Sequence, residues 1–356
     1  MDNKELDMEK YIKQIVGVIL VTLLFISSSY AGNEQRIAQA GASELLINPW
    51  ARSTGLGEAN VANITGLEGV FGNVAGTAHL GTTQLMFTNT QWMKGTDVNV
   101  NAFGLSQKVG DAGVLSLSVA MLDWGEINKT TVEIPDGDGS VFHPKYTNIG
   151  VSFAKEFSNS IYGGVTVRII NENIANLSAT GVAFDAGIQY ITGSRQQIKF
   201  GVTMKNVGPT LKIDGDGLAI SGEYEGGPVM TMQIRPTAYE LPSLIKLGAS
   251  YDFKITDDHS LVAMAAFTEN SFSKNQYHGG MEYGFRKMFM VRCGYIYEAG
   301  LLDDIERSTA FTGIAGGVSM DVPLKKGEGK KFGIDYSYRD TDPFAGTHTI
   351  GIRISL

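Results

Sequence analysis

The feature that most constrains this chain is a segment of alternating apolar and polar residues, which recurs about fourteen times. In the last copy, residues 347–356, the apolar positions are Ile350, Ile352, Ile354 and Leu356. A β-strand places successive side chains on opposite faces, so such a segment has one apolar face and one polar face. A length of about ten residues also suits a tilted strand that crosses a bilayer.

The predicted strands cover most of the chain after residue 83. They are residues 84–92, 96–106, 113–123, 145–157, 161–171, 181–192, 198–206, 243–253, 259–267, 276–285, 288–297, 310–320, 331–339 and 347–356. Bacterial outer-membrane barrels have an even number of strands. We therefore predict an all-β fold, a transmembrane antiparallel up-and-down β-barrel of about fourteen strands over residues 84–356.

The connections between the predicted strands alternate in length. Short connections such as 158–160 and 286–287 alternate with longer ones, among them 124–144, 172–180 and 207–242. Outer-membrane barrels place short turns in the periplasm and long loops outside the cell, whereas a soluble β-sandwich has no reason for this parity. The pattern predicts that the last strand ends in the periplasm, on the same side as the N-terminus.

Residues 1–31 have the pattern of a cleaved signal peptide. Lys10 and Lys13 precede an apolar run at 15–26 that is too short to span a bilayer as a helix, and Ala31 ends a small-x-small cleavage site. The single cysteine excludes an internal disulfide framework, and a net charge of −8 without basic clusters argues against nucleic acid as a partner. We predict an exported protein of the bacterial outer membrane, in contact with its lipids and lipopolysaccharide.

Residues 32–83 lack long alternation and are rich in glycine, alanine and asparagine. Small residues allow backbones to approach closely, so we predict that this segment is a plug inside the barrel, with a loose extension as the alternative. A basic side chain that faces lipid near the midplane costs about 2–4 kcal/mol, so such residues on the strands should face the lumen. The predicted contacts between plug and lumen are Arg52, Asn73, Arg168, Lys199, Lys246 and Arg353.

Six short motifs carry a family resemblance. Residues 51–59 read A-R-S-T-G-L-G-E-A and residues 72–76 read G-N-V-A-G, followed by N-V-G-P at 206–209. Then come L-P at 241–242 with K-L-G-A at 246–249, E-Y at 282–283, and V-R-C-G-Y at 291–295. In this order they resemble the PorV/PorQ-type outer-membrane proteins of the type IX secretion system, whose barrels are FadL-like. The resemblance implies a non-enzymatic subunit that docks to the large translocon barrel or to attachment-complex subunits, or accepts secreted cargo.

The connection 207–242 carries the residues that we predict to bind a partner. Val229, Met230, Met232 and Ile234 form an apolar run, and methionine-rich surfaces adapt to partners. The alternative is that this connection folds back over the mouth of its own barrel. Two other functions remain open at this point: a FadL-like transporter of hydrophobic small molecules, and a general aqueous porin.

The sequence contains no motif that predicts an enzyme. The five histidines are scattered, without a metal-binding spacing. An acidic stretch from Asp214 has Leu218 at the fifth position, where a calcium-binding EF-hand loop has a ligand, and Ala219 at the sixth, where it has glycine. The triplet Asp257, Asp258 and His259 falls in a predicted short turn without a nucleophile nearby in sequence. We expect no catalytic residue, no metal site and no cofactor.

Overall fold

The computed structural model describes residues 36, 39–223, 227–303, 305–324 and 329–356. The predicted signal peptide, residues 1–31, lies outside the described residues. In chain order the strands are β1 (Thr83–Gln91), β2 (Asn99–Val109), β3 (Gly113–Asp123), β4 (Ile127–Asn128), β5 (Val141–Phe142), β6 (Lys145–Ser158), β7 (Ile161–Ile174), β8 (Leu177–Thr192), β9 (Ile198–Val207), β10 (Ala219–Glu223), β11 (Val229–Gln233), β12 (Leu244–Lys254), β13 (His259–Asn270), β14 (Gln276–Phe285), β15 (Phe289–Glu298), β16 (Phe311–Pro323), β17 (Lys331–Thr341) and β18 (Thr347–Ser355).

Fourteen of these strands form a closed antiparallel barrel. Each strand pairs with its neighbours in the order β1, β2, β3, β6, β7, β8, β9, β12, β13, β14, β15, β16, β17 and β18. The barrel closes because β18 also pairs with β1, in a register that runs from Gln84↔Ser355 to Gln91↔His348. The predicted barrel and its strand number are therefore confirmed.

Alternation along the strands gives the barrel wall two different faces. In β1 the side chains of Met86, Thr88 and Thr90 are buried, whereas Phe87 between them is 49% exposed. The same period recurs around the wall, so one face is a continuous band of exposed apolar side chains. The apolar band on the outside is the surface that a bilayer covers, and it leaves the polar positions to the lumen.

The two ends of the barrel differ in their connections. The long connections 124–144, 208–243 and 299–310 share one end, which we call the long-loop end, and the opposite end is the short-turn end. At the long-loop end β4 pairs with β5 and β10 pairs with β11, each as a separate two-stranded sheet.

One predicted long connection, 172–180, is wrong. Strands β7 and β8 continue their pairing to Ile174↔Leu177, so only residues 175 and 176 join them. The polar residues in this stretch predict a loop, yet they pair across the antiparallel strands β7 and β8. Asn171 pairs with Thr180, and its side-chain amide donates a hydrogen bond of 2.9 Å to the Thr180 hydroxyl.

The chain before β1 forms short helical turns, and residues 39–82 are called the N-terminal segment below. Its helical pieces are Ser43–Leu46, α1 (Ala51–Gly55), Ala59–Ala62, Gly66–Val70 and Val74–His79. The described residues include no helix that is both long and apolar enough to cross a membrane.

The N-terminal segment runs from one end of the barrel to the other. Ala40 forms a parallel bridge with Glu240 at the long-loop end, and the Gly41 amide donates to the Glu240 carbonyl at 3.0 Å. The segment ends at residue 82, directly before β1 begins at Thr83 at the short-turn end. Residues such as Leu45 pack at the long-loop end. The N-terminus itself lies outside the described residues, so its predicted place on the same side as the end of β18 stays a prediction.

Candidate functional site in the barrel lumen

The inward face of the wall is mainly polar. Many of its buried side chains are hydroxyls, namely Thr88, Thr90, Ser106, Ser116, Ser118, Ser152, Thr166, Thr203, Ser250, Thr268, Ser319, Ser337, Thr347 and Thr349. Several bond to each other across neighbouring strands, as Ser106 does with Ser116 at 2.6 Å. Such pairs satisfy buried hydroxyls within the wall, where bulk water does not reach them.

Buried ion pairs lie on the same inward face. Arg168 Nε is 2.7 Å from Asp185 Oδ2, and both side chains are almost completely buried. Arg292 pairs with Glu282, and Arg353 Nη2 is 2.6 Å from Asp321 Oδ1. Charges removed from water need partners of this kind, since an unpaired buried charge costs several kcal/mol, on the order of 3–5.

Three further ion pairs join the wall to the N-terminal segment, and in the longest of them Arg339 Nη1 of β17 lies 3.9 Å from Glu58 Oε1. Lys246 Nζ of β12 lies 2.9 Å from Glu58 Oε2, and Arg52 Nη2 of α1 lies 3.6 Å from Glu282 Oε2 of β14. Because α1 and Glu58 lie on the segment and their partners on the wall, these pairs fix the segment at two heights in the lumen.

Wall side chains also bind backbone carbonyls of the segment. Arg168 Nη2 donates to the Val70 carbonyl at 2.5 Å, and its guanidinium lies 4.6 Å from the centre of the Phe71 ring. Lys205 Nζ donates to the Phe71 carbonyl at 2.6 Å. These charge-assisted bonds satisfy carbonyl groups that the short helical turns leave without partners.

Two asparagines of the segment, Asn63 and Asn73, bond to the wall nearer the short-turn end. The Asn73 side-chain amide donates to the Ile188 carbonyl of β8 at 3.0 Å and to the Val61 carbonyl at 3.1 Å. Lys199 Nζ donates to Asn63 Oδ1 at 2.5 Å and also lies 3.0 Å from Asp252 of β12.

The structure places the six predicted lumen residues as follows. Arg52, Asn73, Arg168, Lys199 and Lys246 each contact a group on the opposite side of the boundary between segment and wall. Arg353 instead pairs with Asp321 and Asp335, both on the wall. The sequence prediction omitted Lys205, although it shares its strand face with Lys199 and alternation could have identified it.

Two wall glycines permit close approach of the segment. A Cβ on Gly294 of β15 would lie 2.2 Å from the Leu56 carbonyl carbon. A Cβ on Gly187 of β8 would lie 2.1 Å from Asn73 Oδ1. Both distances are far below contact distance, so a larger residue would displace the segment backbone at Gly294 and the Asn73 side chain at Gly187.

The largest buried apolar cluster lies at the long-loop end of the lumen, and we call it the mouth cluster. Two smaller apolar clusters, one around Trp50 and one around Leu56, lie between the segment and the wall. The buried members of the mouth cluster are Ala42 and Leu45 of the N-terminal segment, Leu211 and Leu241 of the connection 208–243, and Val98, Val100, Leu122, Tyr146, Ile170, Ala179 and Ala183 of the wall and its edge. Three separate parts of the chain therefore meet in one apolar contact.

The mouth cluster encloses little free space. The cavity beside it has a volume of about 10 Å³ and is lined by residues that include Glu44, Ile47, Phe71 and Tyr146. Burial raises the pKa of the Glu44 carboxyl above its usual range. Burial, followed by the hydrogen bond of 2.6 Å to Glu172, raises the pKa of the Tyr239 hydroxyl above this cavity.

A second cavity, of about 220 Å³, opens at the short-turn end. Asn63, His79, Gln189, Lys199 and Asp252 are among its lining residues, so its surface is largely polar. His79 Nε2 lies 2.9 Å from Gln189 Oε1 and burial lowers the pKa of its imidazole. The two cavities are therefore chemically different, apolar at one end and polar at the other.

The residues predicted to bind a partner lie outside the lumen. The structure places Val229, Met230 and Met232 in β11 and Ile234 directly after it, and all four side chains are exposed. This hairpin belongs to the connection 208–243 at the long-loop end.

The closed barrel of fourteen strands resembles the solved structures of two transporters, and this fold supports an outer-membrane location. The toluene transporter TbuX of Ralstonia pickettii is 12% identical with a TM-score of 0.51, and the match covers 85% of this chain and 96% of TbuX. The toluene transporter TodX of Pseudomonas putida is 11% identical with a TM-score of 0.51, over 86% of this chain and 97% of TodX. A FadL homologue from Pseudomonas aeruginosa matches with a TM-score of 0.45, 11% identity and coverage of 85% and 96%.

At this identity the likeness shows a shared fold and nothing finer. No protein-family model matches the sequence, and no curated protein matches it. The expectation that this chain has no catalytic residue stays a prediction.

Proposed function

We propose that this chain is an outer-membrane transporter of small hydrophobic molecules, with the N-terminal segment as the plug that controls their passage. The observation that carries the proposal is the mouth cluster. This apolar site lies directly beneath the long loops, where a hydrophobic solute gains free energy by leaving water. Shared fold with two toluene transporters supports the same class of solute.

Admission of a solute requires movement. A cavity of about 10 Å³ holds one water molecule at most. A solute therefore has to displace part of the mouth cluster, and residues 42–49 or the connection 208–243 are the parts that lie over it.

The test places a charge inside the mouth cluster. Leu45 is 2% exposed and Leu46 beside it is 37% exposed, so they form a matched pair. Leu45→Asp should lower the uptake of radiolabelled toluene by intact cells at least about tenfold, because the buried carboxylate opposes an apolar ligand. Leu46→Asp should leave uptake within about twofold of the unsubstituted protein.

Fluorescence gives a second readout that does not depend on uptake. Trp50 is fully buried and packs edge-on against Phe71, with ring centroids 5.7 Å apart, next to the mouth cluster. In a Trp92→Phe, Trp124→Phe variant, Trp50 is the remaining tryptophan, and toluene binding should change its emission. Unchanged emission together with equal uptake by Leu45→Asp and Leu46→Asp would overturn the transport proposal.

The secretion function that the motif resemblance implies stays a prediction. The neighbours described above are transporters, and the comparison favours the transport function. Its test is co-purification from native membranes in a mild detergent. Recovery of secretion-system subunits with this chain, without any solute-dependent change at Trp50, would favour a docking subunit over a transporter.

A further inference from the structure

The two-stranded sheet at the long-loop end has an unpaired edge. Strand β10 pairs with β11 only, and within the described part of the chain no further strand lies against β11. All five residues of β11 are exposed. An exposed strand edge presents a row of free amide and carbonyl groups that another strand can satisfy.

The register of the hairpin identifies which groups are free. The Ile234 amide donates to the Leu218 carbonyl at 2.8 Å, so Ile234 faces β10. In an antiparallel ladder alternate residues face the same neighbour. Met232 and Met230 therefore face β10 with their backbone groups, whereas the amides and carbonyls of Val229, Thr231 and Gln233 point away from it.

This edge lacks the features that usually prevent strand association. Native edge strands commonly carry lysine or other charges, proline or a bulge. Residues 229–234 read V-M-T-M-Q-I, with no charge and no proline, and every large side chain in the run is exposed. The neighbouring strand β10 contains Gly222 and ends in Glu223, which makes its outer edge a poorer template.

The order of side chains in β11 fits a second copy of the same strand. Met230 and Met232 flank Thr231 symmetrically. If two β11 strands pair antiparallel about Thr231, Met230 of one copy stands beside Met232 of the other, and Val229 stands beside Gln233. No like charges meet, and the methionines form close cross-strand pairs at non-hydrogen-bonded positions.

We infer that β11 pairs edge to edge with β11 of a second copy of this chain, with Thr231 on the two-fold axis. Two hydrogen bonds form at the central pair and two at each flanking pair, about six in all, so every outward-facing group of β11 is satisfied. One short strand pair is weak in free solution. Confinement of both copies in one membrane raises their effective concentration and favours pairing. The inference is independent of the transported solute.

Disulfide trapping tests the register. In a Cys293→Ala background, which removes the only native cysteine, Thr231→Cys should give a cross-linked dimer when native membranes are oxidised. Hydrogen-bonded antiparallel partners have Cα atoms about 5.5 Å apart, within the range for a disulfide. Ser221→Cys on the outer edge of β10 is the matched control and should remain monomeric. Equal cross-linking at both positions, or none at position 231, overturns the inference.

A backbone substitution tests the hydrogen bonds. Thr231→Pro removes the central outward amide but leaves the bonds to β10 intact, and Thr231→Val keeps the amide and the side-chain shape. In liposomes of full-length protein, Thr231→Pro should raise the dimer dissociation constant at least about tenfold, with Thr231→Val close to the unsubstituted protein. Equal dimerisation of the unsubstituted protein and both variants contradicts self-pairing. So does a chain that stays monomeric in native membranes but loses a different bound protein when Thr231 is replaced by proline.

Discussion

Arg168 shows how a single residue couples the wall to the N-terminal segment. It is 1% exposed, pairs with Asp185 and donates to the Val70 carbonyl. Arg168→Met leaves the Asp185 carboxylate buried without its cation, at a cost of about 3–5 kcal/mol. We expect the heat-induced shift of the folded band on a gel to occur at a clearly lower temperature in this variant.

Two controls separate charge from shape. Arg286→Met removes an exposed arginine of the short-turn end. The free energy of unfolding of this variant should stay within about 0.5 kcal/mol of that of the unsubstituted protein. Arg168→Met combined with Asp185→Leu removes both charges and should regain much of the lost stability. A single Arg168→Met variant as stable as the parent protein would contradict this account.

The sequence identified some of the lumen residues but not their partners. Alternation places Arg168, Lys199 and Lys246 on the polar face of their strands, because lipid excludes charge. The groups that Arg168 and Lys205 bind are backbone carbonyls of Val70 and Phe71, and carbonyls have no sequence signature. Their positions depend on the path of a segment without periodicity, which only the folded structure provides.

At the scale of elements, β18 closes the barrel. It pairs with β1 on one side and β17 on the other. Deletion of residues 350–356 exposes the edge of β1 to lipid. Each backbone group left unpaired there costs up to about 8 kcal/mol. We expect this variant to be absent from the outer membrane and to lack a heat-modifiable band.

Deletion of residues 132–138 removes the same number of residues from an exposed loop and serves as the control. Because this stretch lies in the long connection between β3 and β6, the control should assemble normally. Assembly of the variant that lacks residues 350–356 would contradict the closing role of β18.

Element prediction was successful where the strands are long. Each barrel strand spans enough residues for a period of two to be visible, and all fourteen were found. Strands β4, β5, β10 and β11 have two to five residues, too few to show a period. The connection 172–180 was misread because Glu172 and Asn173 are polar on both faces where the strands extend beyond the apolar band.

At the scale of the whole molecule, the proposed plug predicts that the resting protein does not conduct ions. In planar bilayers the intact chain should show no sustained conductance, because the N-terminal segment contacts the inward face along the lumen. Arg52→Ala with Glu58→Ala removes three ion pairs to the wall and should produce intermittent openings. A stable open conductance of the intact chain would favour an aqueous porin.

The path of the N-terminal segment also bears on how the barrel assembles. Closure joins β1 to β18, the first and last strands of the wall. The chain between them is long, so bringing them together costs conformational entropy before their hydrogen bonds stabilise the barrel. The segment bonds to early and late parts of the wall alike, through the Leu67 amide to Gln84 of β1 and Thr54 to Ser337 of β17. It can therefore serve as an internal template that holds the two halves of the nascent sheet together, so that the final seam forms between strands already in proximity.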